Sequence, residues 1–315
     1  MRLDSFQGTD WQAALDGIAA DVRPHLGRGQ VADYIPALAE QDPNAFGMAF
    51  TTIAGDSYAV GAADEPFSIQ SIVKVFSLVL ALELEGEDLW ARVGREPSGT
   101  PFNSIVQLER ERGRPRNPFI NAGAIVVMDA VVGRCGEDSA IDRIRRFVRR
   151  AAGGDDRVMI DEAIAMSEKA YGDRNRALGY FMKSFGVVRN DVAEVLQTYF
   201  CACAMTMSCL TLSRAGLFLA TDGTCPLSGE VITNHERVDR VNATMMLCGH
   251  YDRSGEFAFR VGLAGKSGVG GGILAVIPEV GCVTVWSPGL NEAGNSLVGT
   301  EALALFSDRT GVNLF

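Results

Sequence analysis

Long uninterrupted apolar runs are missing from this 315-residue chain. The nearest approach, residues 198–220, is broken by Arg214 and by several serines and threonines. It reads as two buried helices, with a helix start near Thr211, and not as a membrane span. Histidine is scarce, with only His25, His235 and His250. His235-Glu236 lacks the second histidine of a zinc-protease helix, so no metal site is assigned. The seven cysteines contain no C-x-x-C pair, which argues against a zinc ribbon or a thioredoxin-like centre. The first seven residues are polar and have no apolar core of a secretion signal. Free cysteines and no leader predict a reduced, cytoplasmic protein. Extended basic runs are also absent, and the formal net charge is -10. Arg143, Arg145, Arg146, Arg149 and Arg150 recur at helical spacing and read as a solvated face, so no nucleic-acid partner is expected. No internal repeat or low-complexity linker divides the chain.

What is present is ordinary globular material, 47% hydrophobic and 22% charged. The N-terminal forty residues read as helical, with Asp10 capping a helix that opens at Trp11. Residues 47–53 and 57–61 read as strands joined by a turn at Ala54-Gly55-Asp56. From Ser68 to about Asp222 almost every apolar pattern is helical. Strands are expected again at residues 257–264, 272–277 and 280–286, followed by a helix over residues 295–306. Two early and three late strands make one five-stranded antiparallel sheet. The expected class is therefore α+β: terminal helices flank the sheet, and a helical lobe is inserted between its two groups of strands. The chain is read as one domain, residues 1–315. Its sheet lobe covers about 1–66 plus 252–315, and its helical lobe about 67–251. A cleft between the lobes is the expected ligand site.

Ser71 and Lys74 stand out within this pattern. They are three residues apart, on one face of a helix whose other residues, Ile72, Val73, Val75, Phe76, Leu78, Val79 and Leu80, are apolar. A serine hydroxyl is a weak nucleophile until a neighbouring base takes its proton. A lysine denied water loses basicity and becomes a candidate for that base. The helix N-terminus beside Ser71 adds N–H groups where an oxyanion would form.

A second segment, Gly265-Lys266-Ser267-Gly268-Val269-Gly270-Gly271-Gly272, imitates a phosphate-binding loop. The pattern fails because position 260 is Arg260 where the first glycine belongs, and because a strand follows where a helix should. A better match is the K-T-G element that faces an S-x-x-K helix in β-lactamases and penicillin-binding proteins, with Lys266-Ser267-Gly268 in that role. The backbone N–H groups of Ser71 and Val269 would then form an oxyanion hole.

The chain resembles the serine-dependent glutaminases, on a β-lactamase/transpeptidase-like fold. The resemblance runs from Asp33-Tyr34-Ile35-Pro36 through Gln70-Ser71-Ile72-Val73-Lys74, Asn117-Pro118-Phe119-Ile120-Asn121 and Ser167-Glu168 with Gly172-Asp173-Arg174-Asn175. It continues through Cys248-Gly249-His250-Tyr251-Asp252 to the glycine-rich segment. It implies hydrolysis of L-glutamine to L-glutamate and ammonia, with no cofactor. It also implies Ser71 as nucleophile, Lys74 as base, and Tyr251, together with Tyr199, as a proton relay. Tyr34, Ser71, Asn121, Glu168, Asn175, Tyr199, Tyr251 and Val269 would hold the substrate, Glu168 facing its ammonium. A homo-oligomer, dimer or tetramer, is implied as well. The β-lactamase S-x-N or Y-x-N element is imperfect, because Phe200 and Cys201 follow Tyr199. The alternatives are another serine amidohydrolase or esterase of this fold, or an amino-acid-binding protein without turnover.

Overall fold

The computed structural model describes residue 6 and residues 8–98, 105–136 and 138–315. The polar N-terminal segment lies outside these apart from Phe6. The first helix, Trp11–Val22, begins where its cap dictates. The Asp10 carboxylate accepts the Ala13 N–H at 2.9 Å, satisfying a donor that helix geometry leaves unpaired. Trp11, Leu15, Ile18 and Val22 are its buried residues, and their spacing puts them on one face.

Among the described residues eight strands follow: β1 (Gly47–Thr52), β2 (Ser57–Gly61), β3 (Phe67–Ser68), β4 (Met159–Ile160), β5 (Met205–Met207), β6 (Ala264–Ser267), β7 (Gly272–Ile277) and β8 (Gly281–Trp286). The main sheet has the order β2-β1-β8-β7-β6, and every neighbouring pair is antiparallel. Its centre is the pairing of β1 with β8, from Gly47 opposite Trp286 to Thr52 opposite Gly281. The first and last groups of strands thus meet in the middle of one sheet, with the helical region between them in sequence.

Alternation along the strands decides what each face touches. Met48, Phe50, Ile273, Ala275, Ile277, Val283 and Val285 pack with the two terminal helices, Trp11–Val22 and Leu297–Thr310. There the Phe50 ring lies 4.5 Å from that of Trp11 and 5.4 Å from that of Phe306, centre to centre. Ala49, Leu274, Val276 and Cys282 belong instead to the core of the helical lobe. β1, β7 and β8 are buried along their whole length because both faces are covered.

The α+β plan with its five-stranded sheet is what the sequence predicts, and three details differ. Residues expected as a strand at 257–264 form a helix, Ser254–Val261, before β6 begins at Ala264. The alternation of Phe257, Phe259 and Val261 was misleading. Phe257 and Val261, four apart, are buried, whereas Phe259 is 88% exposed, which is helical and not strand periodicity. Gly262, at φ +69°, ends this helix, in a conformation that glycine adopts without strain. Second, the helical lobe holds a small sheet of order β3-β5-β4. Strands of two or three residues are too short to leave a period in the sequence. Third, residues 198–220 contain β5 between the helices Val192–Cys203 and Cys209–Ala215. The second of these is capped by Ser208, three residues before the expected start at Thr211. Among the described residues no helix is long and apolar enough to cross a membrane.

A buried ion cluster ties the helical lobe together. Arg92 pairs with Glu85 at 3.0 Å and with Asp129. Asp129 also accepts the backbone N–H groups of Arg189 at 3.0 Å and Asn190 at 2.8 Å. All three charged groups are nearly inaccessible to water. Removing one partner of such a pair leaves the other uncompensated. Asp129→Ala should therefore lower unfolding stability by about 3–5 kcal/mol, read from the denaturant midpoint at unchanged slope.

Candidate active site

Ser71 lies in a short 3-10 turn, Gln70–Ile72, that runs directly into the helix Val73–Glu85. Lys74 is in the first turn of that helix and is 1% exposed. Above Ser71 opens a cavity of about 290 Å³, between the sheet and the helical lobe. Tyr34, Ser71, Asn121, Glu168, Asn175, Tyr199, Tyr251 and Val269 all line it, so eight of the nine residues singled out from the sequence share one cavity. Lys74, the ninth, sits beneath it. Its Nζ donates to Asn121 Oδ1 at 2.8 Å and to the Phe119 carbonyl at 3.2 Å.

Each lining residue arrives on a different element. Asn121 opens the helix Asn121–Val132, Glu168 is in the last turn of Glu162–Ala170, and Asn175 is in the first turn of Asp173–Ser184. Tyr199 comes from Val192–Cys203. Asn121 joins them. Its Oδ1 accepts from Lys74 and from the Tyr199 hydroxyl at 3.2 Å, and its Nδ2 donates to Asn175 Oδ1 at 3.0 Å. Tyr34 stands at the rim, 53% exposed.

Two neighbours of Ser71, the preceding residue and a hydrogen-bond partner, are held in an unfavourable backbone conformation. Gln70 has φ +47° and Tyr251 φ +57°, a region that side chains with a Cβ rarely occupy. Tyr251 forms a side-chain hydrogen bond with Ser71, and Gln70 forms one with Glu168. The Gln70 amide also donates to Ser68 Oγ at 3.2 Å. The side chains that reach the serine and the carboxylate thus stand on backbone that the surrounding structure has to hold in place.

Burial sets the protonation chemistry. It lowers Lys74 to about 8, against smaller raising effects of Cys203 and Glu168. It raises Glu168 to about 7, opposed by the hydrogen bond from Gln70 and the charge of Lys74. It raises Tyr251 to about 12. Lys266 is completely buried and is shifted far below the ordinary lysine range, by burial and by repulsion from Lys74. Its Nζ donates to the Gly249 carbonyl at 3.0 Å and lies 4.5 Å from the centre of the Tyr251 ring. Lys266 and Ser267 are part of β6 and not of a phosphate-binding loop. Among the described residues no three His, Cys, Asp or Glu side chains cluster as a metal site would require.

The cavity wall also includes Ile35, Gln70, Tyr171, Gly172 and Arg174, which the sequence reading did not assign. Gln70 and Arg174 fall inside the stretches that carry the family resemblance. Their immediate neighbours, Ser71 and Asn175, drew the attention.

The turn that follows β6 packs directly on the segment preceding Ser71. A Cβ at Gly268 would come within 2.5 Å of the Ile69 carbonyl oxygen, and one at Gly270 within 2.2 Å of that of Ser68. Only glycine permits this approach, which brings the Val269 backbone beside Ser71.

The sheet and inserted lobe make this a protein of the β-lactamase-like fold class. The family model described as Glutaminase matches residues 29–315. The glutaminase of Rhizobium rhizogenes is 56% identical over 306 residues, 97% of this chain and 99% of its own length. That of Agrobacterium fabrum is 56% identical, with the same coverage of both chains. Among solved structures, the probable glutaminase ybaS superposes with a TM-score of 0.91 at 36% identity, over 96% of this chain and 97% of the other. The probable glutaminase from Bacillus subtilis complexed with 6-diazo-5-oxo-L-norleucine gives 0.88 at 30% identity, over 98% of both. The chain belongs to the glutaminase family, enzymes that hydrolyse L-glutamine to L-glutamate and ammonia.

Gly270→Ala should push the turn away from Ser68 and displace the Val269 N–H. Misplacement of a reacting geometry by about 1 Å costs on the order of a hundredfold in rate. A fall of that order in kcat, with a native circular-dichroism spectrum, is the expected outcome. Wild-type kinetics would show that the close approach does not matter.

Proposed function

We propose that glutamine hydrolysis here proceeds through an acyl-enzyme on Ser71, with Lys74 as the base and Tyr251 as the proton donor to the leaving nitrogen. The observation that carries this reading is the environment of Lys74. A neutral amine has two N–H bonds and one lone pair. Asn121 Oδ1 and the Phe119 carbonyl provide acceptors for both N–H bonds, so the lone pair is left for the serine one turn earlier. With Lys74 lowered to about 8, roughly a tenth of it is neutral at pH 7, far more than for an ordinary lysine. Tyr251, at about 12, keeps its proton and acts as an acid. Two groups pushed in opposite directions divide the acid and base roles between them.

The chemistry balances in two halves. Ser71 Oγ attacks the side-chain amide carbon as its proton passes to Lys74. The oxyanion is met by the Ser71 and Val269 backbone N–H groups. The C–N bond breaks as the nitrogen takes a proton from Tyr251, and ammonia leaves. Water then attacks the ester carbon and gives its proton to the Tyr251 phenolate. The bond from that carbon to Ser71 Oγ breaks, Ser71 takes back the proton held by Lys74, and glutamate departs. The substrate's ammonium faces Glu168, while Tyr34, Asn121, Asn175 and Tyr199 supply neutral groups for its carboxylate and amide.

Two measurements check this reading. 6-Diazo-5-oxo-L-norleucine, a glutamine-shaped diazoketone, should add mass to the peptide containing Ser71, and Ser71→Ala should be neither labelled nor active. Label on any other residue, or activity in Ser71→Ala, refutes the acyl-enzyme.

The second measurement is the pH profile. Glu168 must be ionised and Lys74 neutral, so both groups act in their deprotonated forms. The profile of kcat/KM, which reports the free enzyme, should therefore climb with pH through about 7 and again toward about 8. Glu168→Gln should lower kcat/KM by on the order of a hundredfold, through loss of a buried charge partner. It should also remove the rise near 7 while keeping the one near 8. A Gln variant that retained both rises would take Glu168 out of the titration.

A further inference from the structure

Tyr251 has to be aimed at Ser71, yet its own backbone is in a conformation that resists this, at φ +57°. Something outside the substrate cavity must hold the turn in place. Ser254 does part of this. Its Oγ accepts the His250 N–H and donates to the Tyr251 carbonyl, each at 3.0 Å. These contacts tie the turn to itself and not to the sheet.

One residue before His250, Gly249 is already tied to β6, its carbonyl accepting the Ser267 N–H at 3.2 Å and Lys266 Nζ at 3.0 Å. The link that reaches the His250 carbonyl, next to Tyr251, is Asn295. Its side chain is 2% exposed and spans two elements. Its Oδ1 accepts the Ser267 hydroxyl at 2.6 Å, and its Nδ2 donates to the His250 carbonyl at 3.3 Å. Ser267 is the last residue of β6, next to Lys266, and His250 immediately precedes Tyr251. One amide therefore bridges the strand that carries Lys266 and the turn that carries Tyr251. Asn295 is itself fixed at the backbone, its N–H donating to Asn291 Oδ1 at 3.1 Å and its carbonyl accepting the Asn291 N–H at 2.8 Å. It does not line the cavity above Ser71. It lines a separate hollow of about 280 Å³ behind the turn.

We propose that Asn295 is a positioning residue for the reaction, a clamp whose bridge from Ser267 to the His250 carbonyl holds Tyr251 against Ser71. The proposal rests on the reading of Tyr251 as proton donor. Asn295 has no contact with the substrate cavity and so acts through Tyr251. Without the bridge the strained turn relaxes and the phenol loses its aim, while the groups that bind glutamine stay where they are. The loss falls on kcat and spares KM. Because the hollow already adjoins Asn295, truncation enlarges an existing space and does not open a sealed void in the core.

The test is a double-mutant cycle read in kcat and KM for glutamine, with Asn295→Ala made alone and in a Tyr251→Phe background. Asn295→Ala alone should lower kcat by about tenfold or more, with KM changed by less than about threefold. In the Tyr251→Phe background it should change kcat by less than about twofold, because the group it aims is already gone. Equal losses in both backgrounds would overturn the clamp and make Asn295 a general structural residue. No loss in either, with the fold intact by circular dichroism, would overturn it too. Full activity in Tyr251→Phe alone would remove the reading of Tyr251 itself, and the clamp with it. If Asn295→Ala does not fold, Ser267→Ala releases the other end of the bridge and is read in the same two backgrounds by the same criteria.

Discussion

An ammonium group cannot sit in an apolar core without partners, and that constraint at Lys74 organises the rest of the site. The helix around it is buried on all sides, so no water can solvate the amine. Its two acceptors come from one neighbouring segment, the Phe119 carbonyl and Asn121 Oδ1. Asn121 is then committed. With its oxygen turned to Lys74, its nitrogen must face away, and it meets Asn175. Tyr199 donates to the same oxygen. Three helices of the inserted lobe are brought into register by one desolvated lysine. Asn121, Asn175 and Tyr199 also line the cavity above Ser71.

The sheet side follows a different logic. The buried amine on that side, Lys266, is met by backbone carbonyls, those of Gly249 and Ser267. Position is set by close backbone approach and by torsional strain: glycines at 268 and 270 against the carbonyls of Ile69 and Ser68, and left-handed backbone at Gln70 and Tyr251. The Ser71 hydroxyl, flanked by two strained residues, has little freedom to relax away from its partners. One wall of the cavity is thus fixed by electrostatic satisfaction and the other by steric necessity.

How much of this the sequence discloses depends on the range of each signal. The main sheet was legible because its long strands carry either a turn at residues 54–56 or continuous apolar runs at β7 and β8. The Ser71–Lys74 pair was legible because a charge inside an apolar helix is conspicuous in one dimension. The helix Ser254–Val261 was not, because Phe257, Phe259 and Val261 fit a strand period as well as a helical one, and only packing shows that Phe259 faces out. β3, β4 and β5 were invisible, since their pairing depends on partners far along the chain. Tyr34, Glu168, Asn175 and Tyr199 came from family resemblance alone. On residue chemistry they are indistinguishable from ordinary surface or core positions until the fold gathers them around Ser71. Gln70 and Asn295 matter through torsion angles and bridging hydrogen bonds, which no local sequence pattern records.

The pairing of β1 with β8 has a consequence for how the chain is made. β1 leaves the ribosome more than two hundred residues before the strand that covers its flank. Until β8 emerges, β1 has only β2 beside it and presents an open edge with apolar side chains on both faces, the kind of template that invites pairing with another chain. The inserted lobe has its own ion cluster and most of its core residues on the chain before β6 emerges, and only Leu274, Val276, Cys282 and their neighbours join that core with the late strands. During synthesis that lobe is a largely assembled spacer between an unfinished sheet and the growing end. Only the last strands and the C-terminal helix, arriving together, bring β1 into the interior. The slow step of folding is therefore expected to be sheet closure, and a stalled chain truncated before residue 281 would keep its helical lobe and still be prone to aggregate.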